Sequence, residues 1–170
     1  MFAAAQRLVA IVCRVLAIVG LGILLTLAFF TLLDGVLRFV INKPIDLVRE
    51  ISDLVAAIAV ACCLPISLLQ RSNITLRAFN RLQSPALVRL INISADVLVL
   101  VVVSAMTWQF FLLAEKTRQA GDVTWLMNLP KAPFWFIVSG ILTIAAGVQF
   151  FVLAETCLGR IPKAHIEDAV

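Results

Sequence analysis

Asp96 is the one acid well inside a long apolar run of this chain, about 15 Å along a helix counted from Ala86. An ionisable group at that depth in a membrane is costly, and it points either to proton or cation movement or to a structural partner. Arg14 lies at a comparable depth on the first apolar run, so a structural Arg14–Asp96 pair, helped by Asn92, competes with a transport role and is the favoured reading. The other reactive residues carry less. Cys13, Cys62, Cys63 and Cys157 form no C-x-x-C pair, and three of them fall in apolar runs. Small apolar packing accounts for them better than a disulfide framework, a zinc site or a membrane thiol oxidoreductase, which needs cysteine pairs at one surface. His165 is the single histidine and stands in a polar tail. No H-E-x-x-H, nucleophile elbow or glycine-rich phosphate loop occurs. The residues call for no catalytic group, cofactor or metal, and the chain reads as something other than an enzyme.

The elements that hold these residues are membrane helices. Of the 170 residues 62% are hydrophobic and 14% charged, too few polar groups to cover a soluble domain of this size. Mean hydropathy is +1.07. The net charge of +4 suits loops facing an anionic leaflet, and no basic run interleaved with aromatics suggests nucleic acid. The pattern predicts an all-α membrane protein of one domain over 1–170, with spans at about 8–41, 51–69, 86–114 and 132–153 and a charged tail over 155–170. The first run is too long for a secretory signal and reads as an uncleaved span. Pro65 is expected to kink the second span, and Pro85 to open the third helix. Ala57 and Ala61 on the second span, and Ser139, Thr143 and Gly147 on the fourth, are small residues four apart that suit helix packing. Between spans two and three, about 73–84 fits a short amphipathic helix in the interface. Arg77 and Arg81 there would reach lipid phosphates, with Phe79 on the apolar side.

The stretch 37–51 is the corner between the first two spans. Arg38, Lys43, Arg49 and Glu50 place it at a membrane surface, and Asn42 and Pro44 supply the helix stop and turn. Asp34 and Arg38 stand i, i+4 and could pair. Four spans put both termini on one side. Eight cations lie on that side against six on the other, and the acid-free connection with Arg71, Arg77, Arg81 and Arg89 places it, with both termini, in the cytoplasm. Trp108, Trp125 and Trp135 then fall near the outer interface.

Arg38-Phe39 stands with Asn42-x-Pro44 and Glu50-Ile51, then come Arg71 and Asn73-Ile74. Gly121, Thr124 and Leu129-Pro130 follow, leading to Pro133 and Trp135. In the order and spacing of these residues the chain resembles the small membrane subunit, the DctQ type, of tripartite ATP-independent periplasmic (TRAP) transporters. The chain departs from the family where Arg49-Glu50 replaces a pair of acids, where Asn73 replaces a histidine, and where Thr75-Leu76-Arg77 lacks an acid. The resemblance implies a non-catalytic subunit of an ion-gradient-driven symporter in the bacterial inner membrane. Its partners would be a large membrane subunit of the DctM type, a periplasmic substrate-binding protein of the DctP type that brings an organic acid, and membrane lipids. Arg38, Lys43, Arg49, Glu50, Lys116, Arg118, Asp122 and Lys131 would then offer a charged outer surface for docking. The alternative is a self-contained four-helix transporter that uses Asp96 as its cation or proton site.

Overall fold

The computed structural model describes residues 2–41, 46–70, 85–125 and 128–157. They form four helices: α1 (Phe2–Ile41), α2 (Asp46–Gln70), α3 (Pro85–Ala120) and α4 (Ala132–Cys157). All four are long and apolar enough to cross a membrane. Among the described residues there is no strand beyond a single bridge between Val123 and Pro130. The predicted amphipathic helix, with Arg77, Phe79 and Arg81, lies outside the described residues, as does the tail from 158 onward.

The helices are longer than the apolar runs alone predict. α3 continues two turns past Ala114 because Glu115, Lys116, Arg118 and Gln119 are good helix formers. Glu115 also accepts hydrogen bonds from Arg118 at 2.7 and 3.0 Å and from Gln119 at 2.9 Å. Gly121 stops the helix. It takes the left-handed conformation (φ 63°), its N–H donates to the Arg118 carbonyl at 3.3 Å, and the Asp122 N–H reaches back to the Thr117 carbonyl at 3.2 Å. That pairing closes a helix end on two otherwise unpaired carbonyls. Pro65 is fully buried within a continuous α2, and Pro85 stands at the first position of α3, where a missing N–H costs nothing.

Packing follows the order α1, α2, α4, α3: α1 lies on α2, α2 on α4, and α4 on α3. Two clusters fill the seams. Ala61 and Cys62 of α2 meet Val138, Ile141 and Leu142 of α4, with Leu16 of α1 and Phe110 of α3 at the margin. Towards the other end Leu68, Val103 and Ala145 join α2, α3 and α4. The outer face of α1 stays bare, with Leu25, Leu32 and Phe39 among many exposed apolar side chains. Such a face is stable only against lipid or another apolar helix.

Four threonine hydroxyls inside the spans are satisfied within their own helices. Thr26, Thr31, Thr107 and Thr143 each donate to the carbonyl four residues back at 2.8–2.9 Å. The fourth-span stripe differs from the expectation. Ser139 is buried, but Thr143 and Gly147 are exposed, and a Cβ added at Gly147 would touch nothing within 4 Å. The packed face of α4 instead runs through Val138, Ile141, Leu142, Ala145, Val148, Gln149 and Val152. At about 100° per residue a spacing of four advances 40° per step, so a stripe that starts at the edge of the face walks off it. Ala61 is buried in the main cluster and Ala57 packs against it half-buried.

Candidate docking knob and intramembrane polar cluster

The chain has two polar concentrations, one at each end of the bundle. At the end that carries the α1–α2 and α3–α4 connections, α3 outruns its neighbour. Phe110 of α3 lies level with Trp135 of α4 (ring centroids 5.8 Å), and Phe111 with Phe136 (6.1 Å). α3 rises about 15 Å beyond that level to Ala120, while α4 begins about 5 Å beyond it, so α3 overhangs by roughly 10 Å. The connection folds back down along the overhang. Ala114 and Thr117 are buried beneath it.

Thr124 holds this connection in shape. It is 3% exposed. Its N–H donates to the Leu129 carbonyl at 2.9 Å, its carbonyl accepts from Asn128 at 3.1 Å, and its hydroxyl accepts from the Leu129 N–H at 3.0 Å. Asn128 takes a left-handed conformation (φ 50°), which asparagine tolerates better than most residues. The Lys131 N–H closes the loop onto the Asp122 carbonyl at 3.1 Å. The described part of the connection forms a knob that presents Trp125, 93% exposed, with Val123 and Leu129 beside it and Lys116, Arg118 and Asp122 exposed around it. Lys131 is half-buried at its base. An exposed tryptophan with charges at the rim is what protein-recognition hot spots are built from.

The other expected docking residues are spread over the α1–α2 corner. Arg38 is exposed near the end of α1, and Glu50 is half-buried in the first turns of α2 with a partner of its own. Lys43 and the side chain of Arg49 lie outside the described residues. The expected Asp34–Arg38 pair is not formed among the described residues, where the ion pair is Arg118–Glu115.

At the end that carries the chain termini, polar side chains tie three helices together. Asp96 Oδ2 accepts from the Thr156 hydroxyl at 2.8 Å, and the Asp96 carbonyl accepts from Gln149 Nε2 at 3.2 Å. Gln6 of α1 donates to Glu155 of α4. Gln149 is 1% exposed, and its Oε1 has no hydrogen-bond partner. The predicted Arg14–Asp96 pair is absent among the described residues. Arg14 stands exposed on α1, which packs on α2, while Asp96 belongs to the α3–α4 seam. Equal depth along two spans does not make neighbours of helices on opposite sides of the row. Gln149 and Thr156 escaped the sequence reading. The signal for Gln149 was there, a glutamine deep in an apolar span whose amide must find a partner.

Comparison with known families adds one finding. The family described as tripartite ATP-independent periplasmic transporters, DctQ component, matches residues 27–159, which is most of the chain and includes all of α2, α3 and α4. No curated protein and no solved structure matches it.

Proposed function

The chain belongs to the DctQ component family of the tripartite ATP-independent periplasmic transporters, and from that premise we propose how this small membrane subunit works. Membership makes it a transporter component and a multi-pass protein of the bacterial inner membrane. In the reading proposed here it is a single non-catalytic domain that scaffolds the large DctM-type subunit and helps receive a DctP-type binding protein delivering an organic acid. The ion gradient is then used by the large subunit, and this chain supplies surfaces. Both termini face the cytoplasm, so the knob projects into the periplasm.

The observation that carries the docking role is the α3 overhang with the exposed Trp125 in the connection that follows it and Lys116, Arg118, Asp122 and Lys131 around it. Its charges can steer a soluble partner. The scaffold role draws on the bare face of α1, where Ala28, Thr31 and Gly35 leave a shallow channel beside Leu32, Val36 and Phe39. Small residues let a second helix come close.

Charge reversal at Arg49 and Lys131 together tests docking. Binding of the substrate-binding protein to the reconstituted complex should weaken roughly tenfold or more, with a shallower salt dependence. Unchanged affinity in a fully assembled complex would refute the docking role.

A further inference from the structure

α1 and α2 meet closely at one level and part above it. At Gly20 a Cβ would lie 2.8 Å from Cys62 Cβ and 2.9 Å from the Ala59 carbonyl oxygen, so the helices touch backbone to backbone. Towards the connection end they leave a crevice of about 620 Å³ between Val19, Ile23, Leu27 and Phe30 of α1 and Ile51 and Val55 of α2. A Cβ added at Gly22, on its wall, would meet nothing within 4 Å. The lining is apolar apart from two hydroxyl residues, and neither offers a free donor. Thr26 donates to the Gly22 carbonyl at 2.8 Å, and Ser52 is engaged elsewhere. Both walls belong to helices long and apolar enough to cross a membrane, so an apolar occupant is required.

Charge chooses the occupant. From Val19 to Phe30 the crevice extends about 17 Å along α1. A flexible hydrocarbon chain can follow it. Arg38 lies about 12 Å beyond Phe30 and some 80° round α1 from it, above the wall formed by Leu27. It is exposed, and no ion pair or hydrogen bond among the described residues engages its guanidinium. A free guanidinium above an apolar slot complements a phosphate, which it grips with two parallel N–H donors. We propose that the α1–α2 crevice binds one phospholipid, an acyl chain lying between the helices and the phosphate paired with Arg38. The inference needs the membrane location alone and stands apart from the docking role.

The test is native mass spectrometry of the full chain, purified with whatever co-purifies, stripped of lipid and titrated with phosphatidylglycerol. Gly22→Phe drives a ring into the slot from a position with room for it, and Gly140→Phe adds the same ring to an equally open position on α4. The expected result is one phosphatidylglycerol fewer on Gly22→Phe than on the wild type, no loss on Gly140→Phe, and retention weakened roughly tenfold by Arg38→Gln. Equal lipid counts on wild type and Gly22→Phe, or equal loss from both glycine variants, would overturn the site. Unchanged lipid with loss of a large hydrophobic partner from Gly22→Phe would overturn it too, by giving the crevice to a partner helix. Loss on Gly22→Phe with no effect of Arg38→Gln would overturn the phosphate assignment.

Discussion

Thr124 makes three hydrogen bonds within the α3–α4 connection, and only one of them uses its side chain. Thr124→Val keeps the shape but leaves the Leu129 N–H without its acceptor, at a cost of about 1–2 kcal/mol. Faster protease cleavage of the connection, with the spans intact, is the expected readout. Asp96 answers to the same reasoning in the opposite environment. Its side chain receives the Thr156 hydroxyl, so it joins α3 to α4 across the seam. Asp96→Ala should lower the thermal stability of the purified chain by about 1 kcal/mol, while Asp96→Asn, whose amide oxygen still accepts, should lie close to the wild type. Transport by an assembled complex should survive Asp96→Asn. Loss of transport with assembly intact would return Asp96 to the role of a cation or proton site.

Among the elements, α1 and α2 depend on two glycines in different ways. Gly20 is required by contact, because any side chain there meets Cys62 and the Ala59 backbone, and backbone cannot yield. Gly20→Leu should therefore cost about 1–3 kcal/mol through overpacking and loosen α1, whereas Gly22→Ala should be tolerated. Thermal unfolding in mild detergent separates the two, and equal melting temperatures would refute the close approach. The same physics explains α4. Its packed residues recur at an average of about 3.5 positions and stay on the face turned to α2 and α3, while the four-residue stripe through Thr143 and Gly147 drifts to the outside.

For the whole molecule, the row α1, α2, α4, α3 leaves a helix at each margin with one covered side. A closed bundle would bury all four helices alike. A row is a surface, and a surface this apolar in a transporter component suits association with a larger membrane subunit. Purification from native membranes in mild detergent should retain a stoichiometric, larger and very hydrophobic protein. Recovery of the chain alone or as a small homo-oligomer, from cells that express the full set of components, would defeat the scaffold reading.

Fold class and family were legible in the amino-acid sequence by itself. Hydrocarbon demands about twenty apolar residues per span, and each span satisfies its own backbone, so length and composition reveal four helices without knowledge of their neighbours. Punctuation was legible for the same local reason: Pro85 opens a helix, and Gly121 falls in the polar connection after α3. What only the tertiary structure decided is which helices touch. Arg14 and Asp96 have matching depths, yet the order of the row separates them, and Thr156, 60 residues further along the chain, takes the carboxylate instead. The overhang of α3 was hidden too, because it depends on how far α4 reaches beside it. In lipid the apolar surface of one helix resembles that of any other. Partner choice therefore rests on the close fit at residues such as Gly20 and on a few buried hydrogen bonds, neither of which a one-dimensional pattern records.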